Sequence, residues 1–484
     1  MSDRALEQLE PNLVWKIFKE ITKVPRPSKK EGKIRKWVKN WATKNNIKIK
    51  EDKTGNLLLS KDAAPDCKKF PTLILQAHLD MVCQKLPHVE IDFENDPINA
   101  IVDGDIVKAE GTSLGADNGI GMAIGLAALI SPDLKHGPLE VLLTLDEETG
   151  LTGAFALEAG FISGKYLLNI DSEEVGKITI SSAGGGGTDF VYNSKLENKS
   201  NHKGIKIAIS GLKGGHSGVD IDLPRLNAIK LGIDALLEHQ DLILLNSIKA
   251  GSVHNAIPRD FECIIMVPEK ERKNIMKNLK QWRKNTLEIA RTSEPGVIID
   301  ISEVTENQAF NSETTKAVLN LLLDINHGPI AYSKEIVGLV QTSSNLAVVE
   351  TTDKKISVHV STRSSVNKEL EEVRAKLKEI GKSHGAKVIQ DEAYPGWEPN
   401  PGSPFLKVVK NIYEEVIENP IELEAIHGGL ECGLFVSLDP ELQVTSIGTN
   451  IYNAHSPDEY IEIASVGIIW DVVVKIIENM SQLE

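Results

Sequence analysis

Seven residues carry side chains that bind cations or move protons, and each stands at or near the end of an apolar run. His78 and Asp80 follow the run at 72–76, and Asp117 precedes a helical seam at 119–130. Glu147 and Glu148 follow 141–145, Asp171 follows 166–170, and His455 comes after 444–447. Singly, each has an ordinary reading: Asp117 caps a helix, the paired glutamates form a solvated turn, and a lone histidine is a structural residue. Together they do not, because ligands of open α/β sheets gather at the carboxyl ends of strands, where this many carboxylates repel unless a cation lies between them. Imidazole plus carboxylate without thiolate is a donor set for Zn²⁺, with Mn²⁺ or Co²⁺ as alternatives. A carboxylate able to bridge, here Asp117, lets two such ions sit about 3.5–4 Å apart. Asp80, two residues from His78, is placed to orient that imidazole. Glu147 and Glu148 are consecutive and in extended chain face opposite ways, so one is free to bind metal and the other to act as a base.

The elements that position these residues have an α/β rhythm. Two amphipathic helices open the chain, with Val14, Ile17, Phe18 and Ile21 on one face of the first and Ile34, Trp37, Val38 and Trp41 on one face of the second. A strand, turn and strand follow over 46–60, and short apolar strands then alternate with helices. This indicates an α/β domain with a largely parallel central sheet. The glycine run Gly184 to Gly187 reads as a flexible boundary. Beyond it an α+β pattern of strand, helix, two strands and helix recurs from a strand at 297–303, which suggests two similar halves. Pro399, Asn400, Pro401 and Gly402 end that region, and a helix over 404–417 resumes the first pattern. The expected organisation is a discontinuous catalytic domain, 1–186 and 398–484, with an inserted α+β lid domain at 187–397.

Composition narrows the function classes. With 54 Lys and Arg against 69 Asp and Glu, the net charge of −15 argues against a nucleic-acid partner. No apolar run is long enough to span a membrane, and the first residues lack an apolar export core. Four dispersed cysteines, Cys67, Cys83, Cys263 and Cys432, suit reduced thiols. A cytoplasmic location is the expectation.

In order and spacing, His78-Leu79-Asp80, the segment 115–119 around Asp117, Asp146-Glu147-Glu148-Thr149-Gly150, Asp171 and His455 resemble the two-metal site of the M20 metallopeptidases. The resemblance covers nearly the whole chain and is greatest to the cytosolic aminoacyl-histidine dipeptidase branch, which shares the enlarged lid. It implies that His78, Asp117 and Asp171 hold one ion and that Asp117, Glu148 and His455 hold the other. It further implies that Glu147 is the general base and then acid, and that Asp80 supports His78. From the lid it implies His216, in Gly214-Gly215-His216-Ser217-Gly218, as an oxyanion donor. Asn255 and Arg363 are then substrate contacts, the latter gripping a terminal carboxylate. The loop with His427, Gly429 and Glu431 would lie near the substrate. The implied activity is metal-dependent hydrolysis of dipeptides, Xaa-His dipeptides among a broader set. Tripeptidase, carboxypeptidase or N-acyl-amino-acid deacylase activity on the same scaffold is the alternative, and a non-catalytic binding protein a remoter one. The small peptide is the expected partner, and a homodimer is plausible because the lid histidine of related enzymes can come from a second subunit.

Overall fold

The computed structural model describes residues 6–483 except 335 and 353. The chain divides into two compact units: residues 1–181, 397–425 and 430–484 form one, and residues 182–396 with 426–429 form the other.

The first unit is built on an eight-stranded sheet. Its strand order is Lys48–Glu51, Leu57–Lys61, Leu139–Thr144, Leu73–His78, Tyr166–Ser172, Gln443–Gly448, Lys177–Ser182 and Glu422–Ile426. The four middle strands, from Leu139–Thr144 to Gln443–Gly448, run parallel, while Lys48–Glu51 with Leu57–Lys61, Leu57–Lys61 with Leu139–Thr144, and Gln443–Gly448 with Lys177–Ser182 pair antiparallel. Leu139–Thr144 and Leu73–His78 are buried at every residue. That explains their mostly apolar sequence, since a parallel strand is covered on both faces. The helix Ala116–Ile130 packs against three of these strands and against the helix Asn12–Thr22, while Pro404–Ile417 packs on Gln443–Gly448 and on Ile463–Glu478. A separate four-stranded sheet contains the antiparallel pair Ile451–Tyr452 and Tyr460–Glu462, and His455 sits in the loop between them.

The second unit has one large sheet in the order Ile298–Val304, His202–Ser210, Phe261–Pro268, Leu244–Ala250, Val340–Thr352, Lys355–Ser364, Gly184–Asn193 and Lys387–Gln390. Helices Ala228–Leu237, Arg272–Ala290, Ser312–Asp324 and Asn367–Ser383 pack into a common apolar core with it. The order is a repeat read outward from the centre. The first half runs His202–Ser210, helix, Leu244–Ala250, Phe261–Pro268, helix, Ile298–Val304; the second runs Gly184–Asn193, helix, Val340–Thr352, Lys355–Ser364, helix, Lys387–Gln390. The halves are joined where Lys249 and Ala250 pair with Glu350 and Val349.

Two expectations need correction here. The strand at 297–303 closes the first half instead of opening the second, and the strand that opens the second is the one containing the glycine run. That run is not a flexible boundary: Gly184 to Gly187 pair in register with Ser364 to Ser361. A Cβ on Gly185 would lie 2.7 Å from the Tyr394 hydroxyl, and one on Gly187 would lie 2.7 Å from an Asp391 carboxylate oxygen. The glycines make room for neighbouring side chains, and a strand without side chains reads as a linker.

Candidate active site

In the first unit the strand ends bring the acidic and imidazole groups together. His78 is the last residue of its strand and is buried, and Asp171 lies within Tyr166–Ser172. The His78 Nε2 is 3.0 Å from Asp117 Oδ1 and 3.4 Å from Asp171 Oδ1. His455 Nε2 is 3.0 Å from Asp117 Oδ2 and 2.9 Å from Glu148 Oε2. The two oxygens of Asp117 thus serve different imidazoles. One donor atom from each of His78, Asp117 and Asp171 lies within 4.8 Å of the others, and the same holds for Asp117, Glu148 and His455.

Asp80 lies behind His78, its Oδ1 3.3 Å from Nδ1. The same carboxylate accepts the amides of Glu147 at 3.0 Å and Glu148 at 3.3 Å. Glu147 and Glu148 lie in a single helical turn, Glu147–Gly150, entered through Asp146 at φ 50°. The extended-chain argument that set them on opposite sides does not apply, and both place a carboxylate oxygen within 4.8 Å of a His78 nitrogen.

The electrostatics show what such a cluster lacks. Burial alone would lower the His78 pKa, yet the surrounding Asp171, Asp117 and Asp80 hold it well above its ordinary value. His455 is pushed up to about 11 by its hydrogen bonds to Asp117 and Glu148. Burial, then the neighbouring carboxylates, pushes Glu147 well above the usual carboxylate range; burial also raises Glu148. Protons are retained because positive charge is needed there. Glu148 Oε1 is buried with no hydrogen-bond partner. An unsatisfied carboxylate oxygen beside shared imidazoles fits a divalent cation pair.

In the second unit, the segment Gly215–His216 pairs with Ala256–Ile257. His216 Nδ1 accepts the amides of Gly218 and Val219, each at 3.2 Å, so the ring proton sits on Nε2, where it is free to be donated. Burial, with Arg363 nearby, lowers the His216 pKa. Asn255 is exposed, and its carbonyl accepts the amide of Ser217 at 2.8 Å. Arg363 is 8% exposed; it donates to the Tyr394 hydroxyl at 3.3 Å, and its Nε has no partner. His427 Nε2 is 2.7 Å from Ser343 Oγ, and burial followed by Arg363 takes its pKa down to about 4. A Cβ on Gly429 would come within 3.1 Å of the Tyr394 ring. The loop expected near the substrate is divided: His427 and Gly429 belong to the second unit, Glu431 to the first. Glu431 is fully buried, its Oε2 accepting from Gln76 at 2.6 Å and Thr144 at 2.7 Å, and burial raises it to about 8.

With this geometry in place, comparisons with known proteins are decisive. Residues 74–479 match the model of peptidase family M20/M25/M40. The chain belongs to this family. It is 37% identical to the cytosol non-specific dipeptidase of Escherichia coli strain K12, over 98% of this chain and 99% of that protein. It is similar to the crystal structure of aminoacylhistidine dipeptidase from Vibrio alginolyticus, with a TM-score of 0.90, 36% identity, and coverage of 98% and 97% of the two chains. Aminopeptidase PepT from Bacillus cereus, at 18% identity and a TM-score of 0.58 over 98% and 99%, shares the fold.

Membership makes the chain a metallopeptidase, a hydrolase of the metal-dependent kind. Sequence reasoning missed the residues that support these groups. Asn118 donates to Asp171, and Arg26 donates to the carbonyls of Leu79, Asp80 and Gly115. Glu31 accepts the amides of Lys29 and Asp146, holding the entry to the Glu147 turn. In the second unit, Asn345 donates to the carbonyls of His254 and Ala256. Adjacency to Asp117 was the one available signal, and it pointed only to Asn118. The four cysteines are unpaired thiols, as expected.

Proposed function

We propose that the chain hydrolyses dipeptides, Xaa-His dipeptides among them, with two divalent cations at the carboxylate and imidazole cluster. The observation that carries this reading is Asp117, whose two oxygens are divided between the His78 and His455 groups. His78, Asp117 and Asp171 would hold one ion, and Asp117, Glu148 and His455 the other, with Zn²⁺ the best match to the donors and Mn²⁺ or Co²⁺ alternatives. When bound, the cations polarise the scissile carbonyl and acidify the attacking water.

The chain's own residues do the rest. Glu147 takes a proton from the attacking water at its carboxylate and passes it to the departing amine. Asp80 holds both the His78 ring and the Glu147 amide, and so fixes the base relative to a ligand. His216, neutral and with its proton on Nε2, donates to the developing oxyanion. Arg363 pairs with the terminal carboxylate of the peptide, assisted by Asn255, while His427 and Gly429 complete the substrate contacts. Glu431, expected among them, is fully buried on Gln76 and Thr144 and does not reach a substrate. The second unit acts as the lid in this scheme. Support for dipeptides over longer peptides comes from the two relatives of 36–37% identity, both named as dipeptidases. The relative named for the cytosol supports a cytoplasmic location, and among the described residues no helix is long and apolar enough to cross a membrane.

The test is turnover of a panel of Xaa-His and other dipeptides, tripeptides and N-acetylated amino acids with Zn²⁺, Mn²⁺ and Co²⁺, for the parent and Glu147→Ala. Dipeptide turnover by the parent is expected, with kcat reduced about 10²–10⁴-fold in the variant at unchanged metal content. A variant that binds metal normally and cleaves at the parent rate removes Glu147 from the mechanism.

A further inference from the structure

The His455 loop and the Asp117 turn are far apart in sequence, and a single buried carboxylate ties them together. Glu459 is 2% exposed. Its Oε2 accepts the amides of Leu114 at 2.7 Å and Gly115 at 2.9 Å, and its Oε1 those of Ala116 at 2.7 Å and Asp117 at 3.4 Å. Four consecutive amides on one carboxylate form an anion-binding nest, and they lie just ahead of the break at Asp117 and Asn118 after which the regular helix to Ile130 begins. The Glu459 amide in turn donates to the Ser456 carbonyl at 3.2 Å, closing the turn 456–459 that directly follows His455, itself held at φ 62°. On the other side, the Gly115 carbonyl accepts from Arg26, which also holds the carbonyls of Leu79 and Asp80 beside His78.

We propose that Glu459 is a positioning residue that clasps the His455 turn to the Leu114–Asp117 turn and thereby sets the affinity of the cation site formed by Asp117, Glu148 and His455. None of its oxygens need reach a cation. It fixes the backbone from which one ligand projects and closes the turn that directly follows another. The site formed by His78, Asp117 and Asp171 shares Asp117 but keeps supports of its own, Asp80 behind His78 and Asn118 on Asp171. The clasp therefore acts mainly on the second ion. In Glu459→Gln one oxygen remains to accept, while the side-chain amide turns its own N–H groups toward backbone donors. Buried amides are then left unpaired. Groups that orient metal ligands typically change metal affinity 10–100-fold.

This inference rests on the two-cation reading, and the experiment separates the two. Metal-free protein is titrated with Co²⁺, following stoichiometry by calorimetry and ligand geometry by visible absorption. The parent is expected to take up two ions. Glu459→Gln is expected to bind the first with an affinity near the parent's and the second 10–100-fold more weakly, with an altered absorption band for that ion. Glu459→Asp, which keeps the carboxylate, should recover part of the loss. Val466→Ala, which thins the buried face of the following helix, should lower Tm and leave both affinities unchanged. A parent that binds fewer than two ions overturns the reading and the clasp together. Two ions in the parent and parental affinities in Glu459→Gln overturn the clasp alone, as does equal weakening in Val466→Ala. Where Glu459→Gln does not fold, Glu459→Asp decides: parental affinities in it overturn the clasp, and a weakened second ion supports it.

Discussion

His78 and His455 in the first unit and His427 and His327 in the second are driven in opposite directions. In the first, His78 and His455 are surrounded by carboxylates and hold protons far more firmly than a free imidazole does. In the second, burial with Arg363 beside it takes His427 down to about 4, and burial with Lys230 beside it does the same to His327. One residue type has been fitted to two tasks by its neighbours: in the first unit His78 and His455 complete a negative cluster that calls for cations, and in the second His216 and His427 stay neutral beside the buried Arg363 guanidinium, which suits an anion.

The strongest test of this contrast is to remove the cations. Chelation followed by dialysis should abolish peptidase activity, and one of the three divalent metals should restore it. Each ion at a hundredfold excess over its Kd should also contribute about 2.7 kcal/mol to the unfolding free energy of the first unit, read as a rise in Tm on reloading. Next in size is His216→Ala, which removes one oxyanion donor and should lower kcat by about 10²–10³-fold with metal content unchanged. Arg363→Lys keeps the charge but loses the planar fork; steady-state kinetics should show KM raised about 10-fold or more with a smaller change in kcat. The smallest effect concerns acid. His427 has a folded pKa of about 4 against an ordinary 6.5, so the folded form binds fewer protons. Its contribution is fully present above pH 6.5 and is lost as pH falls toward 4, about 2 kcal/mol between pH 7 and pH 5. Thermal melts of the second unit's signal should therefore fall less over that range in His427→Gln than in the parent. Equal acid sensitivity in the two proteins would remove His427 from the account.

Apart from Asp117, which opens a helix, the candidate ligand residues were readable because each stands at or after the end of a run of buried strand, and such runs are mostly apolar when both faces are covered. His78, Asp117, Glu147, Glu148, Asp171 and His455 all announce themselves by type. Their supports do not. Glu459, Arg26 and Glu31 act on backbone amides and carbonyls, which every residue carries, so nothing in the composition of the partner segment marks the contact. The repeat in the second unit was visible as an order of elements but displaced by one strand. Gly184 to Gly187 have no side chains with which to display a strand's alternation, and the packing of Tyr394 and Asp391 that requires them glycine is a tertiary fact.

The discontinuity of the first unit also bears on how the protein is made. His78, Asp117, Glu147, Glu148 and Asp171 are all synthesised before the second unit, whereas His455 and Glu459 are synthesised after it. A growing chain that folds from its N-terminus can complete the His78 group early, but it lacks both the last imidazole and the carboxylate that seats it. Hydrolytic competence is thus deferred until the second unit has been synthesised, and an interrupted product of translation is not a working peptidase.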